Sequence, residues 1–357
     1  MKLDSLARSA RTKLLIALLA ITSPAFADDT PPGSIIFARG AQLLRTDAKG
    51  KGETELATLE GTHRVRALRS DAAGKVLLAN VDGGWAWMPL DGSAKTLAPL
   101  PCSDGPAQLE DDGSHVVCRT KQGAADIELS TGKAWPVDVP IARIVGAGAT
   151  RKFVWLATDG IWGAPPSASP RAKAQKLAPE APLRGFLPSP DGTRGVGVYA
   201  AEVYTDVHHK QPAEVLMGFA LDGVGARRKA IKSGVALEWS HDSEWVLVQD
   251  GANACLMHAT GGEYKCWRGY TAASISSDGK FGLVLGGAVS AQAPMKKKPA
   301  EPDESEGDDS EPDETAIAVP SGPLNLYRVK LEGSAFTETP ALVTKNVDGA
   351  AVWVPAP

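Results

Sequence analysis

Leu187-Pro188-Ser189-Pro190-Asp191-Gly192-Thr193-Arg194 is a turn set between two apolar runs, and its recurrence along the chain decides the fold. Ser276-Ser277-Asp278-Gly279 and Ser240-His241-Asp242-Ser243 repeat it closely. Ser70-Asp71-Ala72-Ala73-Gly74 and Glu110-Asp111-Asp112-Gly113 repeat it more loosely. The copies are spaced about forty residues apart, a period that marks a repeat architecture. Gly at the tip tolerates the positive φ of a tight turn, and Asp supports the same turn through its side chain.

Each turn is followed by a short apolar strand: Val76 to Asn80, Val116 to Arg119, Gly195 to Tyr199, Trp245 to Gln249 and Phe281 to Leu285, with Ile35 to Ala38 and Phe153 to Ala157 as equivalents. Another strand precedes it: Val65 to Leu68, Ala107 to Glu110, Ala142 to Val145, Leu183 to Leu187, Val235 to Trp239 and Ala272 to Ile275. Third strands end at turns such as Asp91-Gly92-Ser93 and Asp222-Gly223. Fourth strands are expected at Lys95 to Leu97 and Glu263 to Trp267. No helical periodicity stands out beyond the leader. The second strand occurs seven times within the chain and the first strand six. The missing first strand is Ala350 to Val354, at the far end. This offset predicts an all-β, seven-bladed β-propeller over 33–357, closed by pairing of the C-terminal strand with the first blade, which removes the open edges of an array.

The turns resemble the TolB-type propeller repeat, a relative of the WD repeats with Ser-Pro-Asp-Gly before an apolar strand. Ser189 to Arg194 and Ser276 to Phe281 carry the resemblance. It covers most of the chain as architecture and implies propeller geometry, while TolB's partners do not carry over with it. The separate α/β domain of TolB would not fit in the short stretch before Gly33. The fourth repeat departs, with Gly148-Ala149-Thr150-Arg151 where the turn should be.

Residues 1–27 read as a signal peptide. Lys2, Arg8, Arg11 and Lys13 precede an apolar core from Leu14 to Ile21, and Ala25-Phe26-Ala27 supplies the cleavage site. The apolar run is too short for a membrane span, which needs ~20 residues. Cleavage near Ala27 leaves a short linker, 28–32, and a periplasmic or secreted monomer. Cys102, Cys118, Cys255 and Cys266 are an even set in an exported chain. Local pairs, Cys102 with Cys118 and Cys255 with Cys266, are expected in an oxidising compartment. The competing readings are a metal site or a redox pair, and neither spacing is C-x-x-C.

The net charge of −4 is unevenly spread. Residues 288–322 hold nine carboxylates against Lys296, Lys297 and Lys298, and the rest of the mature chain is close to neutral. A basic footprint for nucleic acid is absent. High charge, several prolines and no aromatics predict a disordered insertion there, either a tether for basic partners or cations or a tolerated surface loop.

Connections between second and third strands share one face of a propeller with the connections between blades. The excursions Ala200 to Ala213 and Gly286 to Pro323 should both rise from that face, where binding usually resides. Tyr204, Asp206, His208 and His209 form its polar cluster and are the candidate binding residues. Adjacent side chains on an extended strand point to opposite faces, so the two imidazoles are not expected to share a metal. No metal or cofactor site is read. Trp85 and Trp87 share a strand face, as core or as an aromatic platform for sugar. Catalytic motifs are missing: no G-x-S-x-G, H-E-x-x-H, P-loop or dinucleotide glycine motif occurs. Two functions compete. One is a non-enzymatic adaptor that holds an envelope protein or a glycan. The other is a propeller hydrolase or lyase acting in the central channel, where Glu110 and Glu238 are the main acids on offer.

Overall fold

The computed structural model describes residues 33–356 apart from 60–63, 104, 140–141, 147–149, 168, 205–209, 225–226, 232–233, 260–263, 278, 288–323 and 332–339. The expected signal peptide, the linker and the acidic insertion lie outside the described residues.

Blade 1 contains β1 (Ser34–Arg39), β2 (Gln42–Asp47) and β3 (Thr54–Thr58). Blade 2 is β4 (Val65–Ser70), β5 (Val76–Val81), β6 (Gly84–Pro89) and β7 (Ala98–Pro99). Blade 3 is β8 (Ala107–Leu109), β9 (His115–Thr120), β10 (Gly123–Glu128) and β11 (Ala134–Val137). Blade 4 is β12 (Ala142–Val145), β13 (Lys152–Ala157), β14 (Gly160–Ala164) and β15 (Gln175–Ala178), with a 3₁₀ turn at Pro170–Lys173 before its last strand. Blade 5 is β16 (Arg184–Pro188), β17 (Arg194–Tyr204), β18 (Lys210–Ala220) and β19 (Arg227–Ile231). Blade 6 is β20 (Val235–Trp239), β21 (Trp245–Asp250), β22 (Asn253–His258) and β23 (Tyr264–Arg268). Blade 7 is β24 (Thr271–Ile275), β25 (Phe281–Gly286), β26 (Leu324–Lys330) and β27 (Ala341–Val347), and β28 (Ala351–Val354) follows.

Among the described residues there are seven sheets, each four-stranded, and the first has the order β28-β1-β2-β3. Antiparallel pairing from Ser34↔Val354 to Phe37↔Ala351 joins the two ends of the described chain. The ring is therefore a seven-bladed β-propeller closed by its last strand, as the phase offset predicts.

Seven apolar clusters hold the ring, and each is shared by two neighbouring blades. The second strands explain how. Ile36 and Ala38 pack with Leu77 and Ala79 of blade 2, while Ile35 and Phe37 pack with Leu283 and Leu285 of blade 7. A strand covered on both faces reads as a continuous apolar run rather than an alternating one. Each such Leu, Ile or Phe contributes roughly 1.5–3 kcal/mol on burial.

The turns link blades as well as strands. Ser189 is fully buried; its Oγ accepts from the Arg194 N–H at 3.0 Å and donates to Asp191 Oδ1 at 2.5 Å. Ser240 and Ser276 do the same for the N–H groups of Trp245 and Phe281. In blade 2, Asp71 takes the serine's place, and its carboxylate accepts from Lys75 and Val76 at 2.7 Å each. The fourth turn residue abuts the preceding blade: a Cβ on Gly113 would stand 3.1 Å from Asp71 Oδ2, and one on Gly192 2.7 Å from Val145 Cγ2. Both glycines have φ near +70°, so glycine meets two demands there at once. Blade 6 has Ser243 instead, also at positive φ, and its hydroxyl accepts from the Asp191 N–H of blade 5 at 3.2 Å.

Two expectations are corrected. The fourth strand of blade 2 lies at Ala98–Pro99, not at Lys95 to Leu97, because Leu90 to Leu97 is taken up by the turn and bends after Asp91-Gly92. Of the excursion Ala200 to Ala213, the described residues 200–204 and 210–213 are not loop: β17 and β18 continue as a paired ladder from Arg194↔Ala220 to Tyr204↔Lys210.

Candidate functional site

Antiparallel alternation places the second-to-third-strand turns and the blade-to-blade connections on one face. That face carries the far end of the β17–β18 ladder. It also carries a cleft of about 850 Å³ on blade 4, lined by Trp155, Asp159, Trp162, Arg171 and Pro182 among others. Trp155 and Trp162 are cross-strand partners in β13 and β14. Trp155 is buried in the cluster shared by blades 3 and 4, and Trp162 is only partly covered.

Trp162 is held by polar neighbours. Its Nε1 donates to Asp159 Oδ1 at 3.0 Å, Lys176 Nζ lies 5.0 Å from its ring centroid, and Lys176 pairs with Asp159 Oδ2 at 2.7 Å. The lysine and the tryptophan together hold the Asp159 carboxyl below the usual range. Arg171 donates to the Asp138 carbonyl at 3.0 Å, which anchors the 3₁₀ turn at the cleft wall. The result is an indole fixed by a cation and a carboxylate at the edge of a sizeable concavity. Such a surface suits an extended peptide or a flat ring with polar edges.

Of the candidate binding residues, Tyr204 ends β17, and Asp206, His208 and His209 lie outside the described residues. Trp85 is buried in the core shared by blades 2 and 3, with Trp87 packed against it, which decides between core and sugar platform in favour of core. Both expected disulfides are present, Cys102–Cys118 and Cys255–Cys266. Cys255 and Cys266 are directly opposed in β22 and β23, and the Ser103 N–H to Arg119 carbonyl bond brings Cys102 beside Cys118. Among the described residues, no group of three or more His, Cys, Asp or Glu side chains could hold a metal.

The first strands line an axial cavity of about 90 Å³ that reaches the opposite face, at the Ser-x-Asp-Gly turns. Arg69, Arg143 and Glu238 project into it from β4, β12 and β20, and Asp111 and His241 sit at its mouth. Burial pushes the Glu238 carboxyl up to about 7, against the lowering influence of Arg69. Burial, with Arg69 adding to it, pushes Arg143 down to about 10.

Glu110 is not part of this lining, which corrects its assignment as a channel acid. It follows β8, in the serine position of the blade 3 turn, and is 2 % exposed. There its Oε1 meets Arg151 Nε at 2.8 Å. Arg151 also holds both oxygens of Asp126 at 3.0 Å, and His115 Nδ1 lies 3.0 Å from Asp126 Oδ1. Arg151 comes from the degenerate fourth turn, so a buried ion network ties blade 4 to blade 3 where the usual turn residues are missing. The sequence signal was the departure itself: an arginine in place of Ser-x-Asp-Gly.

A ring of seven four-stranded blades defines the class as a seven-bladed β-propeller. No family model matches the chain, and no curated protein does. Among solved structures, TolB from Acinetobacter baumannii is similar at 12% identity and a TM-score of 0.43, with 64% of this chain and 62% of that chain covered. The match thus spans less than two thirds of that TolB chain. Kuenenia stuttgartiensis hydrazine synthase aligns at 11% identity and a TM-score of 0.41, covering 64% of this chain and 77% of that one. A eukaryotic initiation factor aligns at 9% identity and a TM-score of 0.44, covering 91% and 99%.

Proposed function

We propose that this protein is a non-enzymatic binding module of the cell envelope, acting in the periplasm, whose loop-bearing face holds a segment of another envelope protein. The blade 4 cleft carries the reading: it is large enough for several side chains and is walled by a restrained tryptophan. The far end of the β17–β18 ladder is on the same face. Two disulfides suit an oxidising compartment. Acid–base hydrolysis in the channel needs a second, suitably spaced carboxyl. Glu238 is the only acid projecting from a first strand there among the described lining residues, and Asp111 at the mouth is engaged with His241.

The test is affinity capture from an envelope fraction with the wild-type protein, Trp162→Ala and the opposite-face control Lys95→Ala, beside a glycan array and a broad hydrolase panel. A protein retained by wild type and Lys95→Ala but lost with Trp162→Ala supports the reading. Equal retention by all three, or turnover in the hydrolase panel, overturns it. Binding on the array alone would move the assignment to a glycan.

A further inference from the structure

We propose that the axial cavity is a binding site for a small oxyanion, held between Arg69 and Arg143, at the end of the ring opposite the cleft. The two guanidiniums project into one narrow space from blades 2 and 4. Arg69 Nε is buried with no hydrogen-bond partner among the described residues. An unmet buried donor on a cation is costly, and an anion supplies what is missing. Arg143 has no paired carboxylate among the described residues. The nearby Gln108 cannot stand in for an anion, because its side chain is committed to the Ile144 backbone, donating to the carbonyl at 2.5 Å and accepting from the N–H at 3.0 Å.

Glu238 offsets only one of the two positive charges, and its Oε2 is already occupied by the Ile275 N–H at 3.2 Å. At the mouth, Asp111 lies 3.9 Å from His241 Nδ1, and burial raises the Asp111 carboxyl above its ordinary range. What remains is an excess of guanidinium in a space of about 90 Å³. That volume holds a few waters or one tetrahedral oxyanion, and it shuts out a sugar ring. Arginine forks match phosphate and carboxylate oxygens in geometry as well as charge. Both a free phosphate and the carboxylate end of a peptide present this chemistry. Burial raises the Glu238 carboxyl to about 7, so affinity for a peptide carboxylate, whose charge is constant over this range, should rise from pH 8 to pH 6 as Glu238 takes up a proton beside Arg69, Arg143, Ser274, Asp111 and His241.

The experiment is calorimetric titration of the full protein with inorganic phosphate, and separately with acetyl-triglycine and its C-terminal amide, at constant ionic strength. Saturable binding of phosphate to wild type, weakened at least tenfold in Arg143→Gln and unchanged in Trp162→Ala, is the expected result. The Trp162→Ala arm keeps this site separate from the cleft. Binding of the acid peptide but not of its amide would identify the source as a carboxylate terminus. No saturable binding by wild type to any of the three, or equal affinity in Arg143→Gln, overturns the proposal. Arg143→Gln is checked by thermal melting, and Arg143→Lys, which keeps the charge and loses the fork, should fall between the two.

Discussion

Trp353 stacks on Phe281, with ring centroids 6.0 Å apart and ring planes inclined by 14°. The final strand is thereby held twice, by the ladder to β1 and by the inner face of blade 7. Its N–H also donates to Ser274 Oγ of β24 at 3.2 Å. Trp353→Ala should cost ~3–5 kcal/mol, the usual large-to-small core penalty, read from urea unfolding. Removal of the last ten residues takes away β28 entirely and exposes β1 as an edge, so that variant should aggregate on expression. Soluble protein with unchanged melting in both cases would show that the ring does not depend on its tail.

Arg151 is the second point of closure. Its side chain is 13% exposed, beside Glu110 at 1% and Asp126 at 10%. Removing one partner leaves buried charge uncompensated, so Arg151→Met should cost ~3–5 kcal/mol. Adding Glu110→Gln to Arg151→Met should recover part of the loss. Strict additivity of the two substitutions in a double-mutant cycle would mean the pair is not coupled.

The disulfides close short loops, with sequence separations of 16 and 11 residues. Each should contribute at most ~3 kcal/mol. Paired Cys→Ala variants should therefore fold and melt lower, the Cys102–Cys118 pair by somewhat more. Non-reducing peptide mapping checks the connectivity, and a crossed pairing would contradict the register of β22 with β23.

Stability should fall with pH across a definite window. Folding raises the Glu238 carboxyl from its ordinary 4.5 to about 7. Between those values the folded protein keeps a proton that the unfolded chain releases, so each rise in pH favours unfolding. The contribution is intact below about 4.5 and is lost by about 7. Glu238→Gln should flatten this slope, as followed by urea midpoints from pH 4 to 8. An unchanged slope would place the titration elsewhere.

β25 and β26 pair from Phe281↔Lys330 to Gly286↔Asn325, so their ladder does not need the intervening acidic segment. Replacing 288–322 with a short glycine-serine turn should leave the melting temperature within a few degrees of wild type, since loop length enters closure entropy only logarithmically. A larger drop would show that the segment packs on the ring.

The repeat, the blade count, the closure and the disulfide pairing were legible in the residues because each rests on local chemistry. Turns need Gly, Asp and Ser at set offsets, doubly covered strands are apolar throughout, and nearby cysteines in one repeat meet across it. The phase offset between Ile35 and Trp353 even disclosed a contact between distant parts of the chain, because a repeat lacking a strand must be completed from elsewhere. The sites were a different matter. Arg69, Arg143 and Glu238 are far apart in sequence, on strands of three different blades, and nothing local to any of them signals the others. Glu110 looked like a channel acid until Arg151 was seen to reach it. Nothing in the sequence marks Trp162; the pairing of β14 with β15 brings Lys176 over its ring and onto Asp159 at the cleft. Only the closed ring decides which side chains converge on the axis or the loop face, because convergence depends on how whole blades are rotated about a common centre.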